Sequence, residues 1–402
     1  MRVILDPRPL RGAVTAPPSK SHVHRLLIAA ALCEDYEETV VACPEENRDI
    51  EATARCLKAL EAGVTRRGDG IEIIGTGLFP RRATLDCGES GSTLRFLLPV
   101  AAINEFDREY TLIGQGRLPE RPNAPLLDAL RRHGAVIEGD YLPMTVRGGL
   151  GPGDFSLPGN VSSQYFSGLL FALPLLRGDS TLRYTSPLES MPYVELTLSV
   201  LRQFGIGIEP MENGWRVPGN QIYRSPGAVE AEGDWSAAAF WLSANALGSA
   251  VTVNGLNPAS CQGDKAIEAL LSRVGGEIDV TDTPDLMPIL SIVAAATPNQ
   301  TTRITGAARL RLKESDRLAA MAGAIRALGG EAEEQPDGLI IRGKRLRGGT
   351  VDGLNDHRVV MSAAIAATAC SGPVTILGAE AVEKSYPHFW RDYEALGGKW
   401  HG

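Results

Sequence analysis

The sequence predicts a mixed α/β fold of two similar domains, each made of three βαβαββ repeats. Six apolar segments rich in alanine and leucine recur along the 402 residues, and each opens with a short polar cluster. A second helical pattern follows every segment and ends at a glycine, 41 to 44 residues after the opening. A β-branched run lies between the two helices of each pair. Such regular spacing indicates an internal repeat.

The first helix of each repeat is predicted to be buried. Its segment continues for about three turns with few charges, as in residues 26–32, 166–176 and 359–369. A helix that is apolar on nearly all sides belongs in a protein core. The polar openings of the six segments are Ser19-Lys-Ser, Gly91-Ser-Thr, Ser162-Ser-Gln, Asp234-Trp-Ser, Asp285-Leu-Met and Asn355-Asp-His-Arg.

The second helix of each repeat is predicted to be an outer helix that stops at a capping glycine. The segment Leu127-Asp-Ala-Leu-Arg-Arg-His-Gly134 is one example, with arginines in its last turn. Glycine just past a helix and basic residues near its end are typical of a helix C-terminus. The six glycines are Gly63, Gly134, Gly205, Gly275, Gly329 and Gly397.

Each repeat also supplies strands on either side of the outer helix. Short hairpin-like strands follow the glycine, such as 135–138 with 144–147 and 206–209 with 215–217. The predicted order is therefore strand, buried helix, strand, outer helix, strand, strand. The β-branched runs between the two helices are residues 39–41, 110–113, 180–183, 251–253, 301–304 and 374–377.

One repeat is shorter than the others. Openings recur about every 71 residues, but only 51 residues separate Asp234 from Asp285, so the fourth repeat is predicted to have lost its hairpin. The last repeat lacks its return strand, and residues 11–16 are predicted to supply it from the N-terminal end.

The repeats therefore predict two domains of three repeats each. The first domain is expected over residues 18–231. The second is expected to be discontinuous, over residues 1–17 and 232–402, so that the chain passes between the domains twice. The crossings are expected near residue 17 and near residues 230–233.

Composition excludes several classes of protein. The net charge of -8 argues against a general nucleic-acid or anionic-membrane surface. The most apolar stretches run only about ten residues, too short to span a bilayer, and no signal or transit peptide is evident. The six cysteines form no CxxC pair and no metal-ligand spacing, and nucleotide-binding glycine patterns are absent. We therefore expect a cytoplasmic protein with reduced cysteines, no metal and no cofactor.

The polar openings are predicted to form an anion-binding active site. A helix N-terminus presents unpaired N–H groups and a positive dipole end. If six such ends point at one cleft between the domains, the cleft binds anions although the protein is acidic. Basic residues near the openings suit substrates with several phosphates and carboxylates. These residues are Lys20, Arg25, Arg95, Arg117, Arg121, Lys313, Arg317, Arg358 and Lys384.

Each opening also has an ordinary interpretation. Ser19-Lys-Ser and Ser162-Ser-Gln are good helix caps, and Asp285 is well placed to cap the helix that follows it. Gly88-Glu-Ser-Gly-Ser-Thr is compatible with a simple turn. Lys313-Glu-Ser-Asp-Arg317 has helical spacing, which is typical of a solvated face with ion pairs. Recurrence at equivalent places in a repeat favours the functional interpretation.

These motifs, in this order, resemble the 5-enolpyruvylshikimate-3-phosphate synthase family over essentially the whole chain. Each motif is weak alone, but the ordered set is specific. The motifs are Pro17-Pro-Ser-Lys-Ser with Arg25, Gly88-Glu-Ser-Gly-Ser-Thr-Leu-Arg95, Arg117-Leu-Pro-Glu-Arg-Pro122, Ser162-Ser-Gln164, Leu312-Lys-Glu-Ser-Asp-Arg317, Asn355-Asp-His-Arg358 and Lys384-Ser-Tyr-Pro387.

The resemblance implies a fold and an activity. Each domain is expected to be an inside-out α/β barrel with pseudo-threefold symmetry and buried parallel helices. The activity is transfer of the enolpyruvyl group of phosphoenolpyruvate to the 5-hydroxyl of shikimate 3-phosphate, with release of phosphate. This step belongs to the shikimate pathway of aromatic amino-acid biosynthesis. Small-molecule substrates and a monomer are expected, with no nucleic-acid or membrane partner.

The resemblance also implies two sets of substrate-binding residues. Those for shikimate 3-phosphate are Lys20, Ser21, Arg25, Ser162, Ser163, Gln164, Ser190, Asp285 and Lys313. Those for phosphoenolpyruvate are Lys20, Gly91, Arg117, Gln164, Glu314, Arg317, Arg358 and Lys384.

Four of these residues are assigned catalytic roles. Asp285 is expected to act as the base toward the shikimate hydroxyl, and Glu314 as the proton donor to the methylene carbon. Lys20 and Lys384 are expected to stabilise charge and to assist the departing phosphate. Whether Glu314 or Lys20 carries the transferred proton stays open.

Some positions depart from the family pattern. Glu89 stands where asparagine is common, Pro119 where a lysine often lies, and Arg309 where some members place an asparagine that contacts substrate. Glu89 is expected to point away from the phosphate or to pair with an arginine. The resemblance places Gly91 against phosphoenolpyruvate and against the inhibitor glyphosate, so a methyl group there is expected to crowd both.

Two other functions compete with this hypothesis. The first is the same transfer onto UDP-N-acetylglucosamine. That sister family usually has a cysteine, sometimes an aspartate, in a loop near Arg117, and Gln115-Gly-Arg-Leu-Pro-Glu contains neither. The second is a non-catalytic protein that binds phosphorylated metabolites. Carboxylates such as Asp285 and Glu314 in the cleft argue against it, because a binder of anions gains nothing from them.

Overall fold

The computed structural model describes residues 1–34, 36–76, 80–103 and 107–402. The chain divides into two compact units. The first compact unit is Lys20–Ala231, and the second comprises Met1–Ser19 and Glu232–Gly402. Each has a hydrophobic core of its own. None of the helices in the described ranges has the length and apolar character that a bilayer crossing requires.

The buried and outer helices alternate along the chain, which confirms the predicted pattern. The odd-numbered helices are the six buried ones, and nearly every residue of α9 and α11 is out of contact with water. The even-numbered helices are the outer ones. In the described ranges the α-helices are α1 (Lys20–Ala31), α2 (Arg48–Ala59), α3 (Gly91–Ala102), α4 (Ala124–Arg132), α5 (Ser163–Ala172), α6 (Met191–Gln203), α7 (Trp235–Ala246), α8 (Ile267–Leu271), α9 (Met287–Ala296), α10 (Arg317–Ala327), α11 (His357–Ala367) and α12 (Phe389–Ala395).

Short strands surround the helices. In chain order they are β1 (Arg2–Leu5), β2 (Arg11–Thr15), β3 (Glu38–Ala42), β4 (Gly63–Arg67), β5 (Gly70–Ile74), β6 (Arg82–Asp86), β7 (Glu109–Ile113), β8 (Ile137–Glu138), β9 (Met144–Val146), β10 (Asp154–Leu157), β11 (Ser180–Tyr184), β12 (Glu209–Met211), β13 (Gly214–Val217), β14 (Ala228–Glu230), β15 (Ala250–Asn254), β16 (Glu277–Asp279), β17 (Thr301–Thr305), β18 (Glu331–Gln335), β19 (Gly338–Arg342), β20 (Gly349–Asp352), β21 (Val374–Leu377) and β22 (Trp400–His401).

The described residues form five four-stranded sheets that share one strand order, and this order confirms the βαβαββ repeat. In the sheet β6-β7-β9-β8, the strand before the buried helix pairs parallel with the strand after it. The hairpin then adds two antiparallel strands. In the fourth repeat the described residues form only the two-stranded sheet of β2 and β15, so the loss of its hairpin is confirmed.

The N-terminal strands pair differently from the prediction. Strand β1 lies between β21 and β22 and is the return strand of the last repeat. Strand β2 pairs parallel with β15 in the fourth repeat, so the prediction that residues 11–16 supply the return strand is wrong. The reason is burial. Val3 and Leu5 of β1 are fully buried, as a central strand requires, whereas β2 buries only Val14.

Two of the strands that precede buried helices in the sequence pair in the sheet of a different repeat. Strand β14 precedes α7 in sequence but pairs with β3, in the sheet of the first repeat. Strand β2 precedes α1 in sequence but belongs to the sheet of the fourth repeat. Each compact unit is therefore completed by a strand that is distant in the sequence.

Among the described residues, glycine caps four of the six outer helices. Gly134, Gly205, Gly329 and Gly397 directly follow the C-cap residues of α4, α6, α10 and α12, with positive φ between +77° and +96°, which glycine adopts without strain. Gly275 also has a positive φ, of 94°, but α8 already ends at Leu271, so the prediction that Gly275 caps it is wrong.

The prediction of a capping glycine is wrong for the first outer helix. There Glu61 takes the left-handed conformation, with φ of 68°, and Gly63 is already the first residue of β4. A Cβ at Gly63 would lie 3.1 Å from the Cβ of its cross-strand partner Ile74. The glycine therefore serves close strand pairing and not the end of a helix.

Candidate active site

In the first compact unit a chain of hydrogen bonds joins the first turns of α1 and α3. His24 Nδ1 lies 2.6 Å from Thr53 Oγ1, which lies 2.7 Å from Thr93 Oγ1. Thr93 donates to Ser90 Oγ, and Ser90 is the N-cap of α3. Burial, and then the positive charge of two basic neighbours on α1, lowers the pKa of His24 well below its usual value. The imidazole is therefore neutral, and Thr53 of α2 links α1 to α3.

Gln164 is held at the first turn of α5 by residues of α3. Arg95 donates to Gln164 Oε1 at 2.8 Å, and Gln164 Nε2 donates to Ser92 Oγ at 2.9 Å. Arg95 in turn donates to Asn123 Oδ1 at 3.0 Å, and its guanidinium lies over the ring of Tyr165. The two bonds fix the orientation of the amide. The sequence alone did not predict that Arg95 holds Gln164, because the two residues are 69 positions apart in the chain.

Arg25 joins α1 to α6 and is itself buried. Its guanidinium donates to Thr197 Oγ1 at 2.8 Å, to the carbonyl of Tyr193 at 2.9 Å and to the carbonyl of Ser21 at 2.6 Å. Ser190, immediately before α6, is also buried and has a positive φ of 59°. The structure therefore brings three of the predicted shikimate-side residues to one region of the first compact unit.

Other predicted residues lie at the starts of α1 and α5. Lys20 Nζ is 2.8 Å from Asp49 Oδ2, and both side chains are mostly buried. Ser162 accepts a hydrogen bond from the backbone N–H of Gln164 at 3.3 Å, so its capping role is real. Ser163 is the first residue of α5 and is also buried.

Gly91 begins α3 directly against an arginine. A Cβ on Gly91 would lie 2.7 Å from Nη1 of Arg121, which is buried. Arg117 is half-exposed and lies 3.8 Å from Glu120. Glu89 lies against the same loop, because a Cβ on Gly116 would be 2.5 Å from its Oε2.

In the second compact unit, Arg317 connects three carboxylates. Its guanidinium nitrogens lie 2.8 Å from Oδ1 of Asp285, Oε2 of Glu314 and Oδ2 of Asp356. Arg317 is 1% exposed, so the interpretation of residues 313–317 as a solvated helical face is wrong. Asp316 caps α10, and the residues before it lie outside the helix, where they can turn inward.

Asp285 is shared by two arginines. Arg358 donates to its Oδ2 at 2.8 Å, while Arg317 holds its Oδ1. Burial alone raises the pKa of Asp285, but the positive charges of Arg358, Arg317 and Lys313 outweigh burial and hold the pKa well below its usual range. Asp285 is thus ionised and weakly basic in this state. Its side chain does not cap α9, since it bonds the arginines instead.

Lys384 lies close to the start of α11. Its Nζ donates to the carbonyl of Asn355 at 2.6 Å, and the side chain is buried. Asp356, the next residue, caps α11 and also binds Arg317, so capping and site formation coincide here. Arg309 donates to the carbonyl of Thr281, which occupies part of its guanidinium.

One acidic residue was missed by sequence reasoning. Asp264 is buried, accepts a hydrogen bond from Ser236 Oγ, and has no partner for its Oδ1 among the described residues. Burial, followed by the negative charge of Asp285, raises the pKa of Asp264 to about 7, although Arg358 opposes the shift. No sequence pattern marks this residue, because it lies in the shortened fourth repeat and outside every polar opening.

The polar groups of these clusters are chiefly lysine, arginine and carboxylate side chains. Within the described ranges, no group of three or more His, Cys, Asp or Glu side chains is arranged to hold a metal ion. The arrangement can bind anions through its arginines and lysines, and its carboxylates can accept or donate protons.

Solved structures define the class of protein. EPSP synthase from Acinetobacter baumannii matches with a TM-score of 0.82 and 25% identity, over 100% of both chains. The enolpyruvyl transferase NikO from Streptomyces tendae matches with a TM-score of 0.77 at 19% identity, over 100% of this chain and 98% of that one, and so shares the fold. Together with the clustered arginines and carboxylates, the fold defines an enolpyruvyl transferase.

Sequence comparisons identify the family. The family model described as EPSP synthase (3-phosphoshikimate 1-carboxyvinyltransferase) matches residues 4–286 and 275–393. The 3-phosphoshikimate 1-carboxyvinyltransferase of Clostridium acetobutylicum is 42% identical, over 99% of this chain and 98% of the relative. That of Halobacterium salinarum strain R1 is 39% identical, over 99% of both. The chain belongs to the EPSP synthase family.

Proposed function

We propose that the protein transfers the enolpyruvyl group of phosphoenolpyruvate to the 5-hydroxyl of shikimate 3-phosphate and releases phosphate. The observation that carries the proposal is the cluster in which Arg317 and Arg358 share the carboxylate of Asp285, with Glu314 bound to Arg317. Two arginines offer bidentate donors to anions, and two carboxylates beside them offer proton transfer. This combination is what a member of the EPSP synthase family needs for that reaction.

The proposed reaction has two stages. In the first, the shikimate hydroxyl loses its proton and attacks C2 of phosphoenolpyruvate, while the methylene carbon gains a proton and becomes a methyl group. In the second, the C–O bond to phosphate breaks, and the methyl group loses a proton to restore the enol ether. We assign proton removal from the hydroxyl to Asp285 and proton donation to Glu314, with Lys20 as the alternative donor. Lys20 and Lys384 stabilise the departing phosphate.

Substrate binding itself activates Asp285 as a base. Without substrate, Arg317 and Arg358 hold its pKa well below the usual range. A substrate carboxylate or phosphate that accepts hydrogen bonds from these arginines competes with Asp285 for their charge. The pKa of Asp285 then rises, because a nearby opposite charge is what keeps a carboxyl ionised.

The proposal assigns one set of binding residues to each substrate. In the proposal, shikimate 3-phosphate is held by Lys20, Ser21, Arg25, Ser162, Ser163, Gln164, Ser190, Asp285 and Lys313. Phosphoenolpyruvate is held by Lys20, Gly91, Arg117, Gln164, Glu314, Arg317, Arg358 and Lys384.

A phosphate-release assay with two acceptors tests the function. We expect release from phosphoenolpyruvate in the presence of shikimate 3-phosphate and none with UDP-N-acetylglucosamine. Asp285→Asn is the matched inactive control, because it keeps the shape of the residue and removes the base. Phosphate release with UDP-N-acetylglucosamine but not with shikimate 3-phosphate would overturn the proposal. Saturable binding of both substrates without any release would instead support a non-catalytic binding protein.

We also propose that the protein is a cytoplasmic monomer. All six cysteines are free thiols in the structure, and those with resolved shifts have pKa values raised chiefly by burial or by a neighbouring thiol. Thiols of this kind are typical of a reducing compartment. Light scattering after size exclusion is expected to give a mass near 42.9 kDa, and a value twice as large would contradict the monomer.

A further inference from the structure

We propose that Asn355 is a positioning residue of the phosphoenolpyruvate site, and that its left-handed backbone, rather than its side chain, holds Lys384 in place. The inference rests on the proposed function, because Lys384 is one of the residues proposed to hold phosphoenolpyruvate. It assigns a role to a residue outside the two proposed sets of substrate-binding residues.

The tight turn that precedes α11 is the main observation. Leu354 and Asn355 both have positive φ, of 49° and 54°. The backbone N–H of Asp356 donates to the carbonyl of Gly353 at 2.8 Å, which closes the turn. These are features of a type I′ β-turn, whose two central positions favour glycine and asparagine. Leucine in the left-handed region is strained, and strain of this kind is concentrated at functional sites.

Both ends of this turn are held, so its two central residues decide where the carbonyl of Asn355 points. A Cβ on Gly353 would lie 2.8 Å from the carbonyl oxygen of Leu377, so Gly353 lies directly against β21. At the other end, Asp356 caps α11 and accepts a hydrogen bond from Arg317. If residue 355 left the left-handed region, the peptide that carries its carbonyl would have to rotate between these two fixed ends.

The carbonyl of Asn355 holds a buried lysine. It accepts a hydrogen bond from Nζ of Lys384 at 2.6 Å. Lys384 is the last residue of the 3₁₀ helix Ala379–Lys384 and is only 4% exposed. A buried ammonium needs acceptors for its hydrogen bonds, and a carbonyl oxygen orients it without cancelling its charge. The bond therefore fixes the ammonium of Lys384 relative to the start of α11 and leaves that charge intact.

Two substitutions at residue 355 separate the backbone from the side chain. Glycine removes the whole side chain but adopts the left-handed region without strain, whereas the β-branched valine strongly disfavours it. We expect Asn355→Gly to keep kcat/KM for phosphoenolpyruvate within about 2-fold of wild type, and Asn355→Val to lower it about 10-fold or more, as a misplaced group does. KM for shikimate 3-phosphate should change less than about 2-fold in both variants. Equal losses in the two variants would place the role in the side chain and overturn the inference, as would wild-type kcat/KM in both.

A double-mutant cycle tests whether Asn355 acts through Lys384. The variants are Asn355→Val, Lys384→Met and the double variant. In the Lys384→Met background, the valine should alter kcat/KM for phosphoenolpyruvate less than about 2-fold, because the group that it misplaces is gone. Additive effects of the two changes would overturn the inference. Where turnover of Lys384→Met is too slow to measure, the cycle is evaluated from the rise in melting temperature that phosphoenolpyruvate causes.

Asn299 provides a matched control. It also has a positive φ, of 63°, and it lies exposed between α9 and β17 of the same compact unit, outside the proposed site. Asn299→Val should therefore lower the melting temperature, as Asn355→Val does, and leave kcat/KM for both substrates unchanged. An equal loss of kcat/KM in Asn299→Val would mean that reduced stability explains the result, and would overturn the inference. If Asn355→Val does not fold, Asn355→Ala replaces it, because alanine disfavours the left-handed region less than valine does.

A binding measurement keeps the inference distinct from the proposed function, because stabilisation by phosphoenolpyruvate needs no turnover. If the wild-type enzyme releases phosphate with shikimate 3-phosphate but Asn355→Gly loses as much kcat/KM as Asn355→Val, the inference fails and the function stands. If no acceptor supports phosphate release but phosphoenolpyruvate still stabilises the protein, the function fails, and the glycine and valine variants are compared by their shifts in melting temperature. If phosphoenolpyruvate neither reacts nor stabilises the protein, both fail.

Discussion

Arg317 is almost fully buried, and the carboxylates of Asp285, Glu314 and Asp356 each lie 2.8 Å from its guanidinium. A buried charge of this kind is costly unless it is paired. The three pairs raise the pKa of Arg317 against the opposing effect of burial, so it remains a cation. An arginine that is paired in this way keeps its charge and its position although it is buried.

Glu314 provides a test of catalysis at this cluster. Glu314→Gln keeps an oxygen that can accept from Arg317 but removes the transferable proton. We expect kcat to fall about 10²-fold or more, with KM for both substrates nearly unchanged. Steady-state kinetics measure the effect, and Glu394→Gln on the exposed face of α12 is the matched control. Wild-type turnover in Glu314→Gln would leave Lys20 as the proton donor.

Asp264 predicts a pH dependence of stability. Its pKa is about 7 in the folded protein and about 3.9 in an unfolded chain. Between these values the folded state binds more protons at this site, so Asp264 lowers the free energy of unfolding as pH rises from about 4 to 7. The charged groups that set the shift are Asp285, Arg358 and Asp234.

Asp264→Asn should therefore stabilise the protein more at high pH than at low pH. We expect its stability relative to wild type to rise by more than about 1.4 kcal/mol, the equivalent of one pKa unit, between about pH 4 and pH 8. Urea unfolding at several pH values measures the difference. The exposed Asp128→Asn is the control. A difference that does not change with pH would contradict the burial of an ionisable Asp264.

At the scale of an element, helix α10 contains one replaceable glycine and ends near one that is required. Gly323 has an ordinary φ, and a Cβ there meets no atom within 4 Å. Gly329 has a φ of +83°, and a Cβ there would lie 2.8 Å from Nε of Arg347. We expect Gly323→Ala to stabilise the protein by about 0.5–1 kcal/mol and Gly329→Ala to destabilise it by at least as much. Urea unfolding of both variants checks the opposite signs, and equal signs would contradict the assignment of the cap.

The same contrast explains which glycines the sequence identifies. Four of the predicted caps are correct because a helix C-terminus is a local feature, read from the glycine and the residues just before it. The prediction fails at Gly63 because this glycine is needed by its cross-strand partner Ile74, eleven positions away in the chain. A glycine can thus be required at a helix end or for close strand pairing, and only the helix end can be recognised from the neighbouring residues.

At the scale of the whole molecule, strand β1 joins one end of the chain to the other. It pairs with β21 and β22, and Val3 and Leu5 are fully buried in the core of the second compact unit. We expect removal of residues 1–5 to lower amide protection in β21 selectively, because β21 loses an antiparallel neighbour. Hydrogen exchange measures this, with β7 of the first compact unit as the internal control. Equal loss of protection in both strands would contradict separate cores.

Periodicity and capping carried most of the fold prediction. The six buried helices, the order of strands within a repeat and the loss of one hairpin all follow from patterns that extend over fewer than about 72 residues. The polar openings were also located by sequence, because a helix start has its own residue preferences. The roles of the proposed site residues stay predictions until they are measured.

Only the tertiary structure decided which distant groups meet. The pairing of β1 with β21, the guanidinium of Arg121 against Gly91 and the buried carboxyl of Asp264 leave no periodic or local signal in the chain. The physical reason is that local patterns reflect backbone propensity and the contrast between buried and exposed faces. The partner of a particular side chain depends instead on how whole elements pack, which no short stretch of sequence contains.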